Sequence, residues 1–81
     1  MTILAETQDY LVEYETGLLT IARYSDGHCI GFKGRRVAGE FRDCLKTHSP
    51  ERVVETFIKA AGPNPKWGPL YKPHKMPRGI T

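Results

Sequence analysis

Apolar and polar residues alternate along YLVEYETGLLTIARYSDGHCIGFK, residues 10 to 33, and the alternation breaks at Thr16-Gly17 and Asp26-Gly27. A period of two marks a β-strand with one buried face. Asp-Gly is the strongest two-residue hairpin signal, because glycine accepts positive φ and aspartate tolerates it. A tight turn there sets Ser25 opposite His28, Tyr24 opposite Cys29, Arg23 opposite Ile30 and Ile21 opposite Phe32. A second turn at Thr16-Gly17 sets Tyr14 opposite Leu19, Val12 opposite Ile21 and Tyr10 opposite Arg23. Threonine is a poor residue for positive φ, so a longer loop stays open there. In this register Tyr10, Val12, Tyr14, Leu19, Ile21, Ile30 and Phe32 share one apolar face of an antiparallel meander. Arg23 is the one charge on it, placed to lie across the Tyr10 ring. The other face, with Glu13, Glu15, Thr20, Ala22, Gly31 and Lys33, reads as wet or as a contact surface.

The period changes to helical in SPERVVETFIKAAG, residues 49 to 62, where Val53, Val54, Phe57, Ile58 and Ala61 form one stripe. Ser49 suits the N-cap, Pro50 the first helical position and Glu51 the positive end of the dipole. Gly62 and Pro63 stop it. That stripe needs an apolar partner, and the face of the meander supplies one. Residues 37 to 46, VAGEFRDCLK, fit two patterns. Val37, Ala38, Phe41, Cys44 and Leu45 make a helical stripe, while Val37, Phe41 and Leu45 also make a strand face. A short helix is the preferred reading and a fourth strand the alternative. The fold class is therefore α+β: a three-stranded meander, or four-stranded in the alternative, packed by one or two helices.

From Pro63 the pattern disappears, and PNPKWGPLYKPHKMPRGIT holds five of the six prolines. Residues 1–62 read as one α+β domain and residues 63–81 as a Pro-rich basic arm, either free or laid over the domain by Trp67, Leu70 and Tyr71. With 81 residues, the chain is near the lower limit for a single core without staples. Its two cysteines lack CxxC spacing and read as reduced thiols in a cytoplasm. The start MTILAETQDY has neither a basic nor a long apolar segment, so no signal peptide is expected, and no membrane span.

Charge is unevenly spread. Residues 1 to 20 carry Glu6, Asp9, Glu13 and Glu15 without a base, and residues 62 to 81 carry Lys66, Lys72, Lys75 and Arg78 without an acid. An acidic or polyanionic partner suits the basic arm, although a soluble, solvated tail explains it too. Lys33, Arg35 and Arg36 form a second cluster, placed in a loop leaving the third strand, with open glycine backbone beside it. Cations and free N–H groups are most of what phosphate binding needs. Trp67 and Tyr71, interleaved with Lys66, Lys72 and Lys75, can stack bases; pinning the arm to the domain is the preferred reading.

Other chemistry finds less support. Gly31 and Gly34 spell GxxG, but after a strand and not between the two helices of a KH clamp. His28, His48, His74 and the cysteines lack zinc-site spacing, so neither metal nor cofactor is expected. Cys44 lies on an apolar stripe, which makes it a core cysteine and not the partner of His48. No catalytic residue is assigned, and the chain reads as non-enzymatic.

The order of elements resembles small phage-encoded anti-CRISPR proteins that act on type I surveillance complexes. The likeness covers residues 10 to 61: a first strand, IARYSDGHCIGFKG as a hairpin, GEFRDCLKTHSPERVVETFI running into a helix, then a loose C-terminus. It implies a stoichiometric inhibitor of a host protein complex in a bacterial cytoplasm, without cofactor. The basic tail departs from the acidic members that mimic nucleic acid. Two other roles stay open on the residues alone: a nucleic-acid-binding module using Lys33, Arg35, Arg36 and the arm, and an antitoxin-like or structural partner protein.

Overall fold

In the computed structural model, which describes residues 2–62, 67 and 68, the Thr16-Gly17 turn closes on two residues. Thr16 and Gly17 take φ of 49° and 80°, the positive values that match a tight turn to the right-handed twist of its strands. Strands β2 (Tyr10–Glu15) and β3 (Leu18–Arg23) then pair in the expected register, with Tyr14 opposite Leu19, Val12 opposite Ile21 and Tyr10 opposite Arg23.

The next hairpin corrects the expectation. Strand β4 (Cys29–Lys33) pairs Ile21 with Ile30, Leu19 with Phe32 and Ala22 with Cys29, two residues away from the register of a tight Asp26-Gly27 turn. A tight turn of that kind needs positive φ at both central residues, and here only Gly27 supplies it, at 74°. Asp26 instead accepts the His28 amide at 3.0 Å and the Arg23 side chain. The Gly27 amide donates to the Arg23 carbonyl, and the Arg23 amide donates to that of His28. Two residues thus oppose one, a glycine bulge. A shift of two preserves the faces, so Leu19, Ile21, Ile30 and Phe32 still lie together.

The fourth strand is β1 (Thr2–Glu6), antiparallel to β2, and the sheet order is β1-β2-β3-β4. Its register breaks between Ile3 and Ala5, so Leu4 is an extra residue. The bulge lets both Leu4 and Ala5 pack on the core and turns Ile3 outward, where it is 50% exposed. Residues 37–46 do not form a strand: all but the C-cap Lys46 fold in helix α1 (Arg35–Leu45), with Ala38 and Phe41 buried. Helix α2 (Pro50–Ala60) starts as its sequence specifies, with the Ser49 hydroxyl accepting the Arg52 amide at 3.3 Å. Its stripe buries Val53 and Val54 and half-buries Phe57 and Ile58, while Ala61 stays exposed.

Both helices cover the same side of the sheet. Val12, Leu19, Ile21, Ile30, Phe41, Val53 and Val54 make the core, and Phe57 meets Phe41 and Phe32 edge-on at centroid distances of 5.0 and 5.9 Å. The opposite face is drier at one end than expected, since Leu11, Ala22 and Cys29 are buried in one cross-strand row. At this end the Tyr24 hydroxyl donates to Glu6 on β1, the residue opposite Leu11 of that row. Among the described residues no helix is long and apolar enough to cross a membrane.

Candidate functional site

Of the residues singled out in the sequence, the fold gathers Lys33, Arg35 and Arg36 at one corner. They do not lie in a loop. Lys33 ends β4, Gly34 turns the chain at φ 113°, and Arg35 and Arg36 begin α1. Only glycine adopts that φ without strain, which brings strand end and helix start together within four residues. All three cations are exposed. Among the described residues the ion pairs use Arg23, His28, Lys46 and Lys59, and none reaches this corner.

The two helix starts differ in kind. α2 has a side-chain cap and Glu51 in its first turn; α1 has neither cap nor acid there, and two arginines instead. The N-terminus of a helix is already positive, so cations there oppose the fold by a few tenths of a kcal/mol each, up to about 1. The charges of this corner are not explained by stability. The GxxG of Gly31 and Gly34 likewise lies within a strand and its exit, which removes the helix-to-helix setting of a KH clamp.

Trp67 sits at the far end of β4. Its ring stacks on Tyr10 at 6.2 Å between centroids, and the Arg23 guanidinium lies 4.1 Å over it. Arg23 therefore covers Trp67, where the sequence had suggested Tyr10. Gly68 and Cys29 exchange main-chain hydrogen bonds of 2.8 and 3.0 Å, an antiparallel bridge onto the edge of β4. This is the pinning expected for Trp67, and its face is not free to stack a base. Lys66, Tyr71, Lys72 and Lys75 lie outside the described residues.

Asp26 holds this end together; the sequence marked it as a turn residue only, although its spacing from Arg23 and His28 was the available signal for its pairing role. Arg23 donates to it through Nε at 3.2 Å and Nη2 at 2.8 Å, and His28 Nδ1 lies 3.2 Å away. The Arg23 hydrogen bonds first, and the His28 amide second, pull its carboxyl down to about 2. A folded-state value below the unfolded 3.8 contributes stability that is fully present above pH 4 and lost as pH falls toward 2. Asp26→Asn should therefore be less stable than the parent at neutral pH and lose less on acidification between pH 4 and 2. Thermal melts at intervals through that range check this; parallel curves for the two proteins would show that the pair contributes nothing.

Burial pushes the Cys29 thiol up, and half-buried Cys44 packs on the core. α1 ends at Leu45, and the His48 ring meets the Thr47 hydroxyl at 2.9 Å instead of Cys44. Among the described residues no three metal-ligating side chains cluster. Compared with known proteins, the chain matches no protein-family model, no curated protein and no solved structure.

Proposed function

We propose that this chain is a non-enzymatic binding protein that engages an acidic surface of a protein partner through Lys33, Arg35 and Arg36. The observation that carries the reading is the placement of three exposed cations, in none of the ion pairs among the described residues, where they work against the start of α1. A cost to the fold at one corner is what a contact surface leaves behind. A protein partner is favoured over nucleic acid because the basic surface formed by the described residues is small. Glu40 and Asp43 follow on α1, and Glu51 and Glu55 on α2, so neither described helix presents a continuous basic stripe to a phosphate backbone. The resemblance in layout to anti-CRISPR proteins supports, as the proposed partner, a host defence complex of a bacterium, bound stoichiometrically in its cytoplasm and without cofactor. Nucleic-acid binding, or an antitoxin-like role, is the alternative.

The test is charge reversal, Lys33→Glu with Arg35→Glu and Arg36→Glu. Acids suit the first turn of a helix, so the variant should be as stable as the parent or slightly more so. Loss of binding then cannot be loss of folding. In a pull-down from bacterial lysate treated with nuclease, the parent should retain a stoichiometric protein partner and the variant should not. Cations at an interface act mainly on association rate, so capture should slow more than release quickens. Tight binding of the purified parent to random duplex DNA, with affinity falling by about 0.9 log per log of salt for each phosphate contact, would promote the nucleic-acid module.

A further inference from the structure

We infer that the edge of β4 is a docking edge for an extended acidic segment of a partner protein, which adds to the sheet as an antiparallel strand; this rests on the protein-partner reading above. The edge already accepts an antiparallel segment, the chain's own, at one position. Cys29 directs both its N–H and its C=O away from β3 and exchanges them with Gly68. Hydrogen-bonding directions alternate along a strand, so Gly31 and Lys33 turn their main-chain groups the same way, while His28, Ile30, Phe32 and Gly34 turn theirs toward β3 and its turn. The bonds from the Arg23 amide to His28 and from the Gly34 amide to Gly17 fit that alternation. Among the described residues nothing bonds Gly31 or Lys33 on the outward side.

The strand is suited to addition. Its pairing with β3 is unbroken from Cys29 to Lys33, and Gly31 is exposed with no side chain to hold a partner off. β1, the other edge, is interrupted by its Leu4 bulge and ends in Glu6. Charge selects the occupant. β4 contains no acid, Lys33 closes it, and Arg35 and Arg36 follow directly, so a strand leaving Gly31 toward the helix passes three cations. Main-chain bonds would supply affinity and the acidic side chains specificity.

The test uses an end-capped octapeptide of alternating threonine and glutamate, with a threonine–lysine octapeptide and a random 20-base-pair duplex as controls, followed by fluorescence anisotropy and by amide hydrogen exchange. The expected result is binding of the acidic peptide only, with exchange at the Gly31 and Lys33 amides slowed at least tenfold and that of Phe32 unchanged. Replacing Lys33, Arg35 and Arg36 by glutamine should weaken it at least tenfold. Binding without protection of Gly31 and Lys33 would overturn strand addition and leave the protein-partner reading standing. No binding of the acidic peptide at millimolar concentration would also overturn it. Tighter binding to the duplex than to the peptide would overturn the protein-partner reading itself.

Discussion

Phe41→Ala should leave the protein largely unable to hold its fold, with its thermal midpoint lowered by more than about 12 °C. Phe41 is fully buried, the largest such side chain, and it joins α1 to the sheet and to Phe57 of α2. Removing a buried phenylalanine costs about 3–5 kcal/mol, transfer and cavity together. A domain of this size has roughly 4–12 kcal/mol in all. Phe57→Ala should cost about half as much, because Phe57 keeps part of its surface in water. Urea and thermal denaturation of the two variants check the order. If Phe41→Ala melted within a few degrees of the parent, α1 could not be packed through this ring.

Trp67→Ala should have the next largest effect, and a local one. The indole combines one aromatic stack, one cation–π contact and partial burial, which together are worth about 2 kcal/mol. The amides of Cys29 and Gly68 bond only to each other's residues, so their exchange with solvent reports the attachment. Exchange at both should quicken about thirtyfold, with Ile21 and Ile30 unaffected unless the whole domain opens. Unchanged exchange at Cys29 would mean that the main-chain bridge stands without the ring.

Much of the fold could be read from residues 10 to 62, for reasons that differ by element. The β2–β3 register followed from Thr16-Gly17 because a two-residue turn leaves one pairing that keeps Val12 and Ile21 on one face. The β3–β4 register did not follow, since Asp26 has a side-chain alternative to positive φ that a turn signal cannot display. α2 announced both of its ends, whereas α1 has no side-chain cap and carries Gly39 on an exposed turn, which left 37–46 open to a strand. β1 was hidden by its own bulge: Leu4 and Ala5 both face inward, and no period of two survives in TILAE. Of the candidate site, the cluster itself was visible, because Lys33, Arg35 and Arg36 are neighbours in sequence. Its position against a helix start was not, as that needed the boundary of α1. The attachment of Trp67 to Arg23 joins residues far apart in the chain, beyond the reach of local pattern.

The simple strand order has a consequence for how the protein is made. Each strand lies beside its neighbour in sequence, so closing the sheet requires only short loops and little of the chain entropy that slows non-local pairing. The four strands can associate as soon as Lys33 has cleared the ribosome. Their apolar side has no cover at that moment, because both helices come later in the chain. A further 27 residues must emerge before α2 is complete, which at ~5–20 residues per second takes roughly one to five seconds. A sheet that closes within that interval does so with its hydrophobic face bare, the kind of transient surface that makes a folding chain prone to aggregate.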